Sequence, residues 1–127
     1  MRAKITLITL GVADLKKSTA FYKKLGWKAD EKNKGVVFFK LENLTLSLFP
    51  RKELAKDAGV PAKGSGFDKL TAGGFRGISL AHNVGSPKAV DATLQEAKKA
   101  GATIIKPGQK VFWGGYSGYF ADPDGFL

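Results

Sequence analysis

The sequence predicts an α+β fold made of two copies of one module, strand-helix-strand-strand-strand, and three observations carry that expectation. Two helical segments each open at a capping residue and close at a glycine: Asp14 to Gly26, and Ser86 to Gly101. Each is preceded by an apolar stretch ending in valine, Val12 or Val84, and followed by short extended pieces. The length of 127 residues, 43% apolar and 25% charged, suits one compact domain of two such modules and excludes a multidomain enzyme.

Taken in order, Ile5 to Val12 is rich in Ile, Leu, Thr and Val and reads as a strand. Asp14 caps a helix whose apolar positions Leu15, Ala20, Phe21 and Leu25 recur at helical spacing, and Gly26 ends it. Three extended pieces follow, Trp27 to Asp30, Val36 to Leu41 and Leu44 to Phe49, separated by polar turns. Glu42-Asn43 is short enough for a hairpin. Arg51 to Phe75 is a connector rich in Lys, Ala and Gly, with a short helix near Lys52 to Ala58. The order then repeats: strand Gly77 to Val84, cap Ser86 with Pro87 at the first helical position, helix to Ala100, and Gly101 as the stop. Strands Thr103 to Ile105 and Val111 to Ala121 come next, and a turn at Asp122-Pro123-Asp124-Gly125 leads into a last strand at Phe126-Leu127. The chain thus reads as a single domain over 1–127, with module 1 at about 1–50, a connector at about 51–75 and module 2 at about 76–127. One module of about 50 residues cannot cover both faces of its own sheet, so two should pair and leave a cleft.

Composition removes several classes of chemistry. With no cysteine there are no disulfides, thiolate nucleophiles or Cys-rich zinc sites. The single histidine, His82, cannot supply the several imidazoles of a zinc or iron site. No stretch approaches the roughly 20 apolar residues of a membrane-spanning helix, and Met1 to Leu10 lacks the cleavage site of a signal peptide, so a cytoplasmic protein without membrane partners is expected. The net charge of +10 could suit nucleic acid, but 18 of the 21 basic residues are lysines spread along the chain. Nucleic-acid readers lean on arginine forks, and only Arg2, Arg51 and Arg76 are present, so a solvated basic surface is expected.

Gly11-Val12-Ala13-Asp14-Leu15, the downstream Ser18, Phe21-Tyr22 and Leu25-Gly26 resemble the opening module of the vicinal oxygen chelate superfamily, the glyoxalase, bleomycin resistance protein and dioxygenase group. In the second half, Ala100-Gly101-Ala102 adds to the likeness, and Tyr119-Phe120-Ala121-Asp122-Pro123-Asp124-Gly125 resembles that superfamily's closing hairpin. The resemblance implies paired βαβββ modules with curled mixed sheets around a cavity, often completed in a homodimer. Metal-using members carry a ligand, usually His, on the first strand of each module, and a carboxylate on the last. Carried onto this chain, the first-strand positions are Leu7 and Ser79; the first carboxylate position falls at about Ser47 and the second just past Leu127, where a closing strand is expected to be short or to continue. Leucine has no lone pair to offer and a serine hydroxyl is a poor ligand for these metals, so no metal, no cofactor and no catalytic residue is expected.

Strand alternation then places Leu7, Thr9, Val37, Phe39, Ser47 and Phe49 of module 1 on the cleft face, with Ser79, Ala81, Trp113 and Tyr119 of module 2. Tyr116 joins them if a glycine bulge shifts the register. His82 should point the other way, buried beneath the helices. Gly64-Ser65-Gly66 and Gly73-Gly74 lack the Lys-Ser/Thr ending of a phosphate loop and read as connector, and the Asp122 turn lacks the remaining ligands of a calcium loop. The expected function is metal-free binding of a small apolar or aromatic organic molecule, with sequestration as one outcome. The basic balance favours an anionic ligand, whereas bleomycin is a cation. The rival is a glyoxalase- or lyase-type enzyme with a non-standard site, using Tyr116 or Tyr119 as an acid.

Overall fold

The structure is a computed structural model that describes residues 5–57, 79–112 and 114–127. Its contacts fall into two compact units, one holding the described residues up to 57 and the other those from 79 onward.

In the first unit, β1 (Leu7–Val12) leads into α1 (Leu15–Lys24), then β2 (Ala29–Asp30), β3 (Val37–Lys40), β4 (Thr45–Pro50) and α2 (Arg51–Asp57). The Asp14 side chain accepts the Lys17 N–H, meeting one of the helix's orphan donors, and Gly26 takes φ 87° just beyond the end. The four strands lie in the order β1-β4-β3-β2, with β1 parallel to β4 and the other pairs antiparallel. Residues in register share a face, so Leu10 and Val12, Leu46 and Leu48, and Val37 and Phe39 point to one side. All six are buried, beneath Phe21 and Tyr22 of α1. Phe39 is fully buried, its ring centroid 5.7 Å from that of Tyr22, and Trp27 stacks on Tyr22 at 5.3 Å. At about 1.5–3 kcal/mol for each large apolar side chain, this layer dominates the unit's stability. The helix differs from expectation in its buried stripe. Ala20 is exposed, while Ser18 and Thr19 are buried, the Thr19 hydroxyl donating to the Leu15 carbonyl at 2.6 Å. Small hydroxylic residues that satisfy themselves within the helix can face a sheet without stranding a polar atom.

In the second unit, α3 (Pro87–Ala100) packs on a two-stranded antiparallel sheet of β5 (Thr103–Lys110) and β6 (Tyr116–Ala121). Ser86 caps α3 by accepting the Ala89 N–H, and Gly101 closes it at φ 111°. Here the buried apolar residues are small, Ala97, Ala100, Ala102 and Ala121 around Leu94. The Asp122 carboxylate accepts the N–H groups of Asp124 and Phe126 at 2.9 and 2.8 Å, which makes the expected tight turn, and the Leu127 carbonyl accepts the Leu80 N–H at 2.8 Å.

Three boundaries change. The strand expected at Thr103 to Ile105 runs on to Lys110, and the one expected from Val111 begins only at Tyr116, because the Val111 N–H donates to the Gly115 carbonyl and the Gly114 N–H to the Val111 carbonyl, turning the chain ahead of that strand. Residues 79–84 form no regular strand. His82, expected to be buried, is exposed, since no sheet holds its segment under the helix.

Candidate functional site

The face of the first sheet turned away from α1 is built by the residues that alternate with the core. Register places Leu7, Thr45 and Lys40 in one row across β1, β4 and β3, Thr9, Ser47 and Phe38 in the next, and Gly11 with Phe49 in the third. Leu7, Thr9, Ser47 and Phe49 therefore share this face as sequence alternation expects. Val37 and Phe39 do not. They belong to the core against α1, and Phe38 and Lys40 take their place on the open side, because the parity of β3 is the reverse of the expected one. Lys40, the one charged residue of that strand, was the available signal: a lysine seeks solvent, and Phe38 must share its side.

At the centre of the face the Ser47 hydroxyl donates to Thr9 Oγ1 at 2.6 Å. Ser47 is only 1% exposed and Thr9 is half-buried. Beyond them α2 crosses the end of β1 and β4. Gly11 permits that approach: a Cβ there would stand 3.3 Å from Leu54 Cδ2 and 3.5 Å from the Arg51 Cα and Cγ. The stem of Arg51 thus lies over the third row, and a residue expected in the connector joins the open face. The face is an apolar floor of Leu7, Phe38, Phe49 and Leu54 with hydroxyls at its middle and a cationic side chain at two of its ends.

The candidates of the second unit are not gathered in this way. Ser79 and Ala81 are exposed on the irregular segment, and Tyr119 is 41% exposed on β6. Tyr116 lies on the helix side, its hydroxyl donating to both carboxylate oxygens of Asp91 on α3 at 3.0 and 3.1 Å. The bulges that could have turned it fall in β5, between Ile104 and Lys106 and between Lys106 and Gln109, so β6 alternates without interruption. The Asp91 carboxylate, by accepting the phenolic proton, holds the Tyr116 pKa above its ordinary value, with desolvation and the carboxylate's charge adding to the shift. On that side a hollow of about 520 Å³ is walled by Val84, Pro87, Val90, Val111 and Tyr116, with Lys110 beside them. Trp113, Gly64-Ser65-Gly66 and Gly73-Gly74 lie outside the described residues.

A sequence profile of the glyoxalase/bleomycin resistance protein/dioxygenase superfamily matches residues 4–127. The chain belongs to this superfamily. Among solved structures it is similar to a glyoxalase-related enzyme from Fulvimarina pelagi, at 29% identity and TM-score 0.81 over 98% of this chain and 84% of that one. It is also similar to a glyoxalase/bleomycin resistance protein/dioxygenase from Nocardioides, at 26% identity and TM-score 0.80 over 99% and 80%. A lactoylglutathione lyase from Agrobacterium tumefaciens, 24% identical with TM-score 0.69 over 99% and 90%, shares the fold. A comparison with curated proteins gives no match.

The metal chemistry known in this superfamily can be tested against the donors present. Leu7 offers no donor atom, Ser47 is buried with its proton committed to Thr9, and Ser79 offers a neutral hydroxyl. Among the described residues no three His, Cys, Asp or Glu side chains come together. Divalent transition metals take imidazole, thiolate or carboxylate, and this donor set does not fit them. No helix among the described residues is long and apolar enough to cross a membrane.

Proposed function

We propose that this superfamily member is a metal-free binder of a small apolar or aromatic organic molecule, held on the open sheet face of its first unit. The observation that supports this most is the Ser47–Thr9 hydroxyl pair, which occupies the middle of that face and turns a neutral hydrogen-bonding surface, framed by Leu7, Phe38 and Phe49, toward the space where relatives chelate an ion. Such a surface suits a planar or apolar body with one or two polar anchors. It offers no nucleophile beside a base and no carboxylate pair for acid–base work. In this proposal the protein acts in the cytoplasm as a homodimer and sequesters its ligand, and neither nucleic acid nor membrane is a partner.

The enzymatic alternative draws support from the 29% identity to a glyoxalase-related enzyme. Its proposed acid Tyr116 counts against it, since a phenol whose proton is held by Asp91 and whose pKa is raised gives that proton up poorly near neutral pH. Native mass spectrometry of protein purified from cells tests the binding proposal. A dimer carrying an organic molecule, released on denaturation and free of metal, is the expected result. Turnover of methylglyoxal with glutathione that depends on added nickel or zinc would replace the proposal with the enzymatic alternative.

A further inference from the structure

Which proton points into the open face follows from counting partners at its centre. Two hydroxyls in contact can be arranged in two ways. If Thr9 donated to Ser47, the Ser47 proton would have to find another acceptor in a site that is 1% exposed, and an unpaired buried donor costs about 1–3 kcal/mol. With Ser47 donating across the 2.6 Å contact instead, no buried side-chain polar atom among the described residues lacks a partner. Thr9, already accepting, then has its own proton to give, and Thr9 is half-buried on the open face. The middle of the face is thus polarised as a donor by the residue behind it.

The charges nearest Thr9 on this face are cationic. Arg51 is carried by α2 over Gly11, in the row after Thr9, and Lys40 stands exposed in the row before. The carboxylate whose register brings it to this side, Asp30, lies on the far strand β2, opposite Phe38, and accepts the Lys32 N–H at 3.2 Å. Glu53, in the first turn of α2, is exposed. The whole chain carries +10, which raises the local concentration of anions over any such surface.

We propose that the ligand of this face is an anion, an apolar or aromatic body bearing a carboxylate, with one carboxylate oxygen accepting the Thr9 hydroxyl proton and the charge set toward Arg51. This rests on the binding function proposed above and narrows it to one chemical class. The apolar body lies on Phe38 and Phe49, and Ser47 serves as a positioning residue that fixes the Thr9 proton outward.

The test uses the intact protein and two probes with the same ring system, 1-naphthoate and the neutral 1-naphthalenemethanol, followed by ¹H–¹⁵N NMR titration. The naphthoate should shift the amides of Thr9, Ser47, Phe49 and Arg51 and bind about tenfold more tightly than the alcohol, the size expected for one charge-assisted hydrogen bond plus a partly screened cation. Arg51→Gln, which keeps the stem over Gly11, should erase a few-fold of that preference, read as the ratio of the two probes' affinities. Thr9→Val alone strands the Ser47 donor, so the double variant Thr9→Val/Ser47→Ala, which leaves no unpaired hydroxyl, is the decisive one. It should bring naphthoate down a few-fold, leaving over the alcohol only the part of the preference that Arg51 supplies. Equal affinity of the two probes, or naphthoate affinity unmoved by the double variant, would overturn the anion inference while the binding function stands. No shift at these residues with either probe would overturn both.

Discussion

Each unit sets one N-capped helix against an antiparallel strand pair, yet the two are packed by different means. In the first, Phe21, Tyr22, Phe39, Leu46 and Leu48 fill the space between α1 and the sheet, and stability comes from large side chains removed from water. In the second, α3 meets its strands over alanines, and glycines set the distance: a Cβ on Gly118 would stand 2.6 Å from Leu94 Cδ1 and 2.9 Å from the Lys106 carbonyl oxygen. A capped helix on antiparallel strands therefore does not imply one kind of core. The first unit's core lies on the face against α1, so its other face, apolar with hydroxyls at its middle, is where a ligand surface can be maintained at little cost to the fold.

The largest effect that tests this contrast is at Phe39. Phe39→Ala should destabilise the protein by about 3–5 kcal/mol in urea unfolding, whereas Phe38→Ala, one residue away on the open side, should cost far less. Equal costs would break the assignment of faces. In the second unit the sensitive position has no side chain at all. Gly118→Ala should cost about 1–3 kcal/mol because a backbone oxygen blocks the new methyl. Gly11→Ala, whose nearest neighbour is the movable Leu54 side chain at 3.3 Å, should cost less.

Much of this was legible in the sequence. Asp14, Gly26, Ser86, Pro87 and Gly101 place both helices, since caps act locally and their chemistry is specific. The turn at Asp122 was legible for the same reason. The face of β3 was not, because Val36-Val37-Phe38-Phe39 is apolar at every position and alternation carries no signal there. Only Lys40 breaks the degeneracy. The side taken by Tyr116 depended on which strand of the hairpin holds the extra residues, and no local residue preference reports that. The contribution of Arg51 to the open face was hidden because it depends on how α2 crosses Gly11, a tertiary relation.

Smaller effects sharpen the picture further. Ser47→Ala removes a buried donor together with its bond and leaves Thr9 able to reach water, so about 0.5–1.5 kcal/mol is expected, while Thr9→Val, which strands Ser47, should cost about 1–3 kcal/mol. The reverse order would show that Thr9 is the donor. Tyr116 should be raised in a spectrophotometric titration, and Asp91→Asn should bring its transition back toward the ordinary phenol value. The sign for stability follows. A group whose folded pKa is raised stabilises the fold while it is protonated, so the Tyr116–Asp91 contribution is present at neutral pH and lost as pH climbs through the raised value, and a titration insensitive to Asp91→Asn would contradict the contact.

The central claim is that the middle of the open face presents hydroxyls and apolar groups rather than a chelate. Calorimetric titration of chelator-treated protein with zinc, nickel, manganese and ferrous iron addresses it directly. The account predicts no stoichiometric heat at micromolar concentrations for any of the four ions; one tightly bound ion per chain, lost in Ser47→Ala, would contradict it.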